Sequence, residues 1–275
     1  MGRDISTAKH LRCFFEGKIL ASFCAQDVRT YIACRQDSVK DATINRELCL
    51  LSTALNYGKR ELEWDIPNPV LGRKLKQPEG RVRWITKPEA SSLLRAAEPW
   101  SYLVDFITLA LHTGCRKQEL LGLEWKRVDL QRNLFFLEAE HTKGARRRSV
   151  PLNRTARSAL MSRMCFRSEQ CPGSAWVFAH KNGKRITDVK KSFKTSIRIA
   201  GITDFRIHDL RHTCAAWLVT EGVALAEVRD LLGHRSVTMT EKYAHLAPEN
   251  VRAAVAMLDG SHDLVTVDQI ATEVA

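Results

Sequence analysis

The sequence predicts a mainly α-helical protein with a small antiparallel β-sheet. Apolar residues recur every three or four positions along most of its 275 residues, which is the period of an amphipathic helix. Two short runs, Leu134–Glu138 and Arg148–Leu152, instead indicate strands joined by a loop. A basic stretch with few apolar residues, Gly72–Arg83, interrupts the pattern and suits an extended linker. We therefore expect a small helical domain followed by a larger α+β domain.

The N-terminal part is predicted to be helical from residue 9 to about residue 64. One helix covers Ala25–Arg35, and a longer one runs from about Ala42 to Glu61 with its apolar residues at helical spacing. Asp41 precedes the longer helix and is a suitable N-cap. A pair of prolines then ends the helical region.

The second part begins with a helix start signal. Thr86 and Glu89 form a capping box, with a proline in the first turn. The strongly apolar segment Trp100–His112 predicts a buried helix that Gly114 ends. A third short strand is expected at Trp176–Ala179. Further helices are predicted near Asp188–Ala200, His208–Glu221, Leu225–Leu232, Val237–Ala244 and Glu249–Leu258.

Composition narrows the class of protein. The 44% of apolar residues suffices for packed cores, and no run of eighteen apolar residues predicts a membrane span. Met1–Lys9 has no signal-peptide pattern, and the eight cysteines include no Cys-x-x-Cys pair. We therefore expect a reduced, cytoplasmic protein without a cysteine zinc site. The net charge of +12 fits a polyanionic partner, although a solvated basic surface would give the same count.

Six polar residues of the second part stand in short motifs of their own. Two are arginines, two are histidines, and the others are a lysine and a tyrosine. They are Arg116 in Thr-Gly-Cys-Arg-Lys-Gln-Glu, Lys143 in His-Thr-Lys-Gly, His208 and Arg211 in His-Asp-Leu-Arg-His, His234 in Leu-Leu-Gly-His, and Tyr243 in Lys-Tyr-Ala-His-Leu.

Together these residue types can break a phosphodiester without a metal ion. Two guanidinium groups can hold the phosphate oxygens and stabilise the charge that develops during in-line displacement. A tyrosine hydroxyl, whose pKa is normally about 10, becomes a nucleophile when cations or a base assist it. A lysine can protonate the leaving 5′ oxygen if neighbouring arginines lower its pKa. Because a phosphotyrosine keeps the bond energy, rejoining the strands needs no ATP.

Each motif also has an ordinary structural interpretation. The segment around Arg116 could be a C-cap glycine followed by a charged helix. Lys143 could lie in a solvated turn, since Arg146–Arg148 follow it; we interpret those arginines as DNA-backbone contacts or as an exposed charged edge. His234 could simply follow a helix end, and Tyr243 could be a half-buried helical tyrosine. The chance that all of these ordinary motifs coincide in one order is small.

The His-x-x-Arg-His segment is the most specific of the motifs. On a helix, His208 and Arg211 lie three residues apart and share a face. The alternative is a zinc site, because His208 and His212 are four residues apart, as in His-Glu-x-x-His sites. The glutamate of such a site is missing, and Arg211 would place a cation beside the metal. We therefore expect no metal, and we expect His212 to be a packed or hydrogen-bonded helical residue.

In their order and local settings, the six residues resemble those of the tyrosine recombinase (phage integrase) family, from about Lys9 to about Leu258. The resemblance implies a helical core-binding domain at 1–75, a linker at 76–84 and a tyrosine-recombinase catalytic domain at 85–260. The tail, 261–275, would dock on a neighbouring subunit or be a frayed terminus. The core-binding part is short for the family, which implies either a compact protein or a truncated start.

The resemblance also implies the chemistry of a site-specific DNA recombinase. Tyr243 would attack the scissile phosphate, form a 3′-phosphotyrosyl bond and free a 5′ hydroxyl. Lys143 would protonate the leaving 5′ oxygen, and His208 would accept the tyrosine proton.

The remaining residues would bind the phosphate group. In the family, the residues that match Arg116 and Arg211 hold its oxygens, and the one that matches His234 donates a hydrogen bond to it. The residue that matches Glu119 helps to hold the site together.

The implied partners are double-stranded DNA and three further copies of the chain, because four strands are cut. An accessory DNA-bending protein is a further candidate, and no cofactor, metal or membrane is expected. Three alternatives stay open: a chromosome-dimer resolvase with the same residues, a type IB topoisomerase acting as a monomer, and an inert DNA-binding remnant of an integrase. Replacing Tyr243 with phenylalanine would abolish covalent capture in the enzymes and change nothing in the remnant.

Overall fold

The structure is a computed structural model that describes residues 2–77, 81–138, 147–247 and 255–256. The chain divides into two compact units, Met1–Arg81 and Val82–Ala275, each with its own hydrophobic core. The boundary lies within 76–84, the predicted linker. Within the described ranges, no helix combines the length and the apolar character that a membrane crossing requires.

The first unit contains three helices: α1 (Gly2–Phe15), α2 (Ala25–Gln36) and α3 (Asp41–Glu61). They enclose a core of buried apolar side chains that includes Val28, Ile44 and Leu48. Glu47 is buried on α3 and accepts hydrogen bonds from Tyr31 at 2.8 Å and from Arg35 Nη2 at 2.7 Å, both on α2. These bonds satisfy the carboxylate and fix α2 against α3.

Two predictions for this unit were wrong in detail. Helix α1 begins at Gly2 rather than near residue 9. Asp41 is the first residue of α3 rather than its cap, and Lys40 occupies the cap position without a side-chain hydrogen bond. An acidic residue in the first turn still interacts favourably with the helix dipole.

The second unit combines eight described helices with a three-stranded sheet. The helices are α4 (Lys87–Ala97), α5 (Ser101–Thr113), α6 (Lys117–Leu121), α7 (Arg154–Gln170), α8 (Lys190–Ile199), α9 (Asp209–Thr220), α10 (Leu225–Leu232) and α11 (Thr238–Glu241). The strands β1 (Val128–Asp129), β2 (Leu134–Leu137) and β3 (Arg148–Pro151) pair antiparallel in the order β1-β2-β3. The predicted fold class, mainly α with a small antiparallel sheet, is confirmed.

Helix α5 forms the centre of this unit and packs against α4, α7 and α9. Its apolar residues Leu103, Phe106 and Ile107 are fully buried, as the continuous apolar run predicts. Gly114 ends α5 in the left-handed conformation, with φ of 61°, and a Cβ there would lie 2.2 Å from Leu232 Cδ2. Only glycine fits this turn, which directs the chain toward Arg116.

The capping box at the start of α4 is confirmed, since Thr86 accepts from the Glu89 backbone and Glu89 accepts from the Thr86 backbone. The third strand was predicted in the wrong place. Trp176–Ala179 forms only isolated bridges, from Trp176 to Glu124 and from Ala179 to Arg185, and β1 completes the sheet instead.

Three further differences concern helices. Helix α7 was not predicted at all. The helix predicted over Val237–Ala244 is shorter, because α11 ends at Glu241 and a 3-10 turn follows at Ala244–Leu246. The helix predicted over Glu249–Leu258 lies outside the described residues except for 255–256, which are helical. The Lys143 loop and the tail 261–275 also lie outside them.

Candidate active site

Arg116 lies at the N-cap of α6, directly after the Gly114 turn. Its backbone N–H donates to Glu119 Oε2 at 2.8 Å, and its Nη1 donates to Glu119 Oε1 at 2.8 Å. Burial alone would raise the pKa of Glu119, but the charge of Arg148 and the hydrogen bonds from Arg116 outweigh burial and lower it. Glu119 is therefore an ionised, buried anchor for the Arg116 side chain.

Arg211 lies in the first turn of α9 and is almost completely buried. Its Nη1 donates to the carbonyl of Gly114 at 2.7 Å, which brings it to the same turn that positions Arg116. Its Nη2 is buried and has no hydrogen-bond partner among the described residues. Burial, followed by the charge of Arg116, lowers the pKa of Arg211 to about 10. Two cations held this close favour an anion between them.

His208 occupies the N-cap position of α9, one turn before Arg211, without a side-chain capping hydrogen bond. Burial lowers its pKa, and the charges of Arg211 and Lys242 lower it further. The ring is therefore neutral at pH 7 and can accept a proton. The backbone turn that carries it is fixed by Asp209, whose carboxylate accepts from the Arg206 N–H at 2.8 Å.

His234 follows Gly233, which ends α10 with φ of 66°. Its Nδ1 lies 2.9 Å from the hydroxyl of Thr240. Burial lowers its pKa to about 3, and the charge of Arg211 contributes in the same direction. If the Thr240 hydroxyl donates to Nδ1, the neutral ring carries its proton on Nε2 and can donate it to an anion.

Tyr243 is fully buried and packs among Ala215, Val219, Val228 and Leu232. Its hydroxyl makes a short hydrogen bond to Nδ1 of His212. Burial raises the pKa of Tyr243 well above its usual value, against an opposing effect from the charge of Arg211.

Burial lowers the pKa of His212 to about 3, so its ring is neutral. Because the pKa of Tyr243 is raised, its hydroxyl is protonated, and the His212 tautomer decides which of the two groups donates. The expectation that His212 is a packed and hydrogen-bonded helical residue is confirmed.

Five of the six predicted residues thus lie close enough together for the arginine charges to shift the pKa values of the others. The charge of Arg211 acts on the pKa of His208, His234 and Tyr243, and Arg116 acts on both histidines. The sixth residue, Lys143, lies outside the described residues.

A cleft of about 670 Å³ opens beside these residues. His208 and Arg211 lie on one wall, and Phe193 and Phe205 contribute apolar surface. Its lining also contains four further cations, Lys117, Lys190, Lys194 and Arg206, and one carboxylate, Asp204. Lys117 and Lys190 both pair with a single carboxylate, Asp188. The cations still outnumber the acidic groups, so the cleft suits a ligand with negative charge. The described residues contain no group of three or more His, Cys, Asp or Glu side chains placed to hold a metal ion.

The sequence interpretation missed one residue at this site, Arg148. Its side chain is only 12% exposed and donates from Nη2 to Glu119 Oε2 at 2.9 Å. The interpretation of Arg148 as an exposed charged edge was therefore wrong. A signal did exist, since Val150 must face the core and alternation along β3 places Arg148 on the same side.

Comparison with known proteins identifies the family of the chain. Residues 83–250 match the model of the phage integrase family. The integrase of Salmonella phage P22 is 32% identical over 79% of this chain and 57% of its own length. A shufflon-specific DNA recombinase from Escherichia coli is 33% identical over 74% of this chain and 51% of its own. The tyrosine recombinase XerC of Azotobacter vinelandii is 30% identical over 54% and 49%. The chain thus spans about half the length of these relatives.

Solved structures show the same fold. The integrase of transposon Tn1549, in complex with a circular intermediate DNA, superposes with a TM-score of 0.73 at 18% identity and covers 93% of both chains. A λ integrase dimer bound to a COC′ core site gives 0.72 at 19% identity, covering 90% of this chain and 88% of the other. Since the family model matches more than half of the sequence, the chain belongs to the phage integrase family.

Proposed function

We propose that this chain is a site-specific DNA recombinase that cuts and rejoins DNA through a 3′-phosphotyrosyl bond. Residues 85–260 would catalyse the reaction, residues 1–75 would grip the core of the DNA site, and 76–84 would link them. The observation that supports this most directly is the pair of arginines at the Gly114 turn. Arg211 binds the carbonyl of that turn, and Arg116 follows it by two residues.

A scissile phosphate would satisfy both arginines. The charge of Arg116 raises the cost of charging the buried Arg211, and a bound phosphate oxygen would relieve that repulsion. The Nη2 of Arg211, which has no hydrogen-bond partner among the described residues, offers a donor for this oxygen. His234 would add a third donor through Nε2. These groups would stabilise the extra negative charge of the five-coordinate transition state.

Tyr243 would be the nucleophile. Its Oη would attack phosphorus while the bond from phosphorus to the 5′ oxygen breaks, leaving the DNA 3′ end attached to the tyrosine. Its proton would pass to His208, which is neutral at pH 7. Because the hydroxyl is hydrogen-bonded to His212 inside an apolar cluster, Tyr243 would exchange that partner for the phosphate before it attacks.

Lys143 would protonate the leaving 5′ oxygen. In the second half of the reaction, the 5′ hydroxyl of a partner duplex would attack the phosphotyrosine, and His208 would return the proton to Tyr243. The proton given by Lys143 in one half-reaction is recovered in the other. The cycle would therefore consume neither ATP nor a metal-bound water.

Strand exchange between two duplexes would require a homotetramer, because four strands are cut. A λ integrase with a TM-score of 0.71 to this chain was solved as a tetramer bound to a Holliday junction. Residues 261–275 would dock on the neighbouring protomer. An accessory protein would bend the DNA, and the reaction would take place in the cytoplasm.

The integrase role is favoured over a chromosome-dimer resolvase. The phage P22 integrase is 32% identical to this chain over 79% of its length, whereas a XerC recombinase that aligns with 82% of this chain is only 26% identical. The inert-remnant alternative is disfavoured, because the predicted site residues that the structure describes lie in one neighbourhood rather than being dispersed.

Covalent trapping on a nicked suicide duplex tests the proposal. The duplexes would carry sequences from beside the gene, and the nick would let the short cleaved strand diffuse away. We expect a protein–DNA adduct that forms in the presence of EDTA and is absent with Tyr243→Phe. Tyr102→Phe serves as a control, because the Tyr102 hydroxyl donates to Ser192 at 3.2 Å and has no role in the proposed reaction, so the adduct should remain intact.

Two outcomes would count against the proposal. DNA binding by gel shift without an adduct, across a set of flanking sequences, would support the inert remnant. Relaxation of supercoiled plasmid without any joint product would support the topoisomerase alternative.

A further inference from the structure

We infer that Arg148 is a positioning residue that cancels the charge of Glu119 and thereby leaves Arg116 available for the scissile phosphate. The inference rests on the proposed recombinase function for the identity of the substrate. It concerns a residue that would not itself touch DNA.

The geometry around Arg148 is that of a built site. Its Nη2 donates to Glu119 Oε2 at 2.9 Å and lies 3.9 Å from the Sγ of Cys115. Its guanidinium also packs against Gly233, where a Cβ would lie 2.4 Å from Nη1 and 3.0 Å from Cζ. The side chain is thus held between the Glu119 carboxylate and the turn that carries His234.

The arrangement of charges explains why a third arginine is needed. Glu119 is 1% exposed on its side chain and is paired with Arg116 at 2.8 Å. Without Arg148 these two charges would cancel, and a phosphate arriving at Arg116 would meet a neutral ion pair. With Arg148 on the second oxygen, the three groups carry a net charge of +1. The Glu119 carboxylate then fixes the position of Arg116, and the remaining positive charge still attracts an anion to Arg116.

Stability alone does not account for Arg148. Its Nε is buried without a hydrogen-bond partner among the described residues, which is unfavourable for the fold. Its neighbour on the chain, Arg147, is 66% exposed and lies 3.5 Å from Glu138. The sequence places three arginines in a row, and β3 turns only Arg148 of the two described ones toward the site.

The position of Arg148 also links the parts of the site. Strand β3 begins at Arg148, five residues after Lys143 in the sequence. The Arg148 side chain contacts the α6 start through Glu119 and the α10 end through Gly233. One guanidinium therefore lies between two described segments that carry predicted site residues, Arg116 and His234.

The first test compares Arg148→Gln with Arg132→Gln. Arg132 belongs to the same sheet region, is 77% exposed and pairs with Asp129 at 3.7 Å, so its replacement removes an equal charge outside the site. We expect Arg148→Gln to slow single-turnover cleavage at saturating DNA roughly 100-fold, the scale of losing one oriented charge-stabilising donor. Arg132→Gln should cleave at the wild-type rate. Equal rates for the two variants would overturn the inference.

A double variant separates charge compensation from a merely structural role. In Glu119→Gln/Arg148→Gln both compensating charges are gone, and Arg116 again carries a net +1. We expect the double variant to cleave about tenfold faster than Arg148→Gln alone, a coupling typical of contacting residues. A double variant as slow as the product of the single effects would show that Arg148 only supports packing.

A DNA substrate with sulfur in place of the bridging 5′ oxygen shows which step of cleavage is impaired in Arg148→Gln. A thiolate leaves without a proton, so this substrate rescues any variant that misplaces the general acid. We expect Arg148→Gln to stay slow on it, because phosphate binding is what fails. Full rescue would place the role of Arg148 on the Lys143 loop and overturn the assignment to Arg116.

Binding of orthovanadate gives a readout that needs no recombination. This oxyanion adopts the trigonal-bipyramidal shape of a phosphoryl-transfer transition state, and its binding can be followed by vanadium NMR. We expect roughly tenfold weaker binding in Arg148→Gln, recovery in the double variant and no change in Arg132→Gln. If vanadate binding follows this pattern but the wild-type protein forms no DNA adduct, the recombinase proposal is refuted and the role of Arg148 is retained. Equal vanadate binding by wild type and Arg148→Gln would refute that role.

Discussion

The hydroxyl of Tyr243 is kept protonated by its surroundings in this structure. It lies in an apolar cluster, where an anion is poorly solvated, and its partner His212 is a weak base because burial lowers the pKa of the ring to about 3. Transfer of the proton between these two groups is therefore unfavourable. At the scale of single residues, the proposed nucleophile and the proposed phosphate-binding arginines therefore differ. Among the described residues Nη2 of Arg211 has no hydrogen-bond partner, whereas the Tyr243 hydroxyl is bonded to His212.

The same histidine predicts how stability changes with pH. The pKa of His212 is about 3 in the folded chain and about 6.5 in an unfolded one, so the unfolded state binds more protons between these values. The free energy of unfolding should therefore fall as the pH drops below about 6.5. We expect His212→Gln, which keeps an acceptor for Tyr243 but does not titrate, to reduce the slope between pH 7.5 and pH 5.

Urea unfolding followed by tryptophan fluorescence measures this slope. His180→Gln is the matched control, because His180 is an exposed residue of the same unit. A slope that stays the same in His212→Gln and in the control would contradict the prediction.

At the scale of elements, two left-handed glycines place the site residues. Gly114 turns the chain from α5 to Arg116, and Gly233 turns it from α10 to His234. Both turns are also points of close packing, since a Cβ at Gly114 would meet Leu232 and one at Gly233 would meet Arg148. The elements that carry the arginines and the histidines are therefore fixed to one another at their ends.

A glycine substitution tests this packing. Gly114→Ala should destabilise the chain through backbone strain and through the contact of 2.2 Å with Leu232. Gly201→Ala has a similar φ of +68° but nothing within 4 Å, so it carries the strain alone. We expect Gly114→Ala to lose roughly 1–3 kcal/mol more than Gly201→Ala in thermal unfolding. Equal losses would mean that Leu232 can move aside without cost.

The elements that the sequence predicted are those with strong local signals. The Thr86 capping box, the apolar run of α5 and the terminating Gly114 each specify structure within a few residues. Helix α7 escaped prediction because its buried face is limited to Ala156, Ala159, Leu160 and a charged residue, Arg163. Arg163 can be buried because it forms an ion pair with Asp105 on α5. A partner on another helix cannot be recognised from the spacing of apolar residues in the sequence.

Prediction of the site residues also depended on local sequence signals. Residues in distinctive motifs, such as Arg116 and His208, could be singled out from their neighbours in the chain. Arg148 was not, because only the alternation along β3, counted from Val150, distinguishes it from the other two consecutive arginines. The bond between Tyr243 and His212 spans 31 residues, and its existence depends on how α9 packs against the segment after α11. Long-range pairing of this kind is set by the fold.

At the scale of the whole molecule, charge is the property that bears on DNA binding. The chain carries a net charge of +12, and the cleft beside His208 and Arg211 is lined by further lysines and arginines. Phosphate contacts made by such groups release condensed counterions from DNA, so affinity falls steeply as salt rises. A protein that only exposed scattered lysines would show a weaker dependence, because few of them would meet phosphates together.

Binding of a duplex from beside the gene should therefore weaken about 10³-fold or more between 50 and 200 mM salt, as for a protein with at least six phosphate contacts. Replacing the cleft lysines Lys190 and Lys194 with glutamine should reduce the slope of log affinity against log salt by about 2. The control pair Lys126 and Arg132, both exposed but not part of the cleft lining, should leave it unchanged. Fluorescence anisotropy at five salt concentrations gives the slopes. Equal slopes for both pairs would mean that the cleft does not face the DNA backbone.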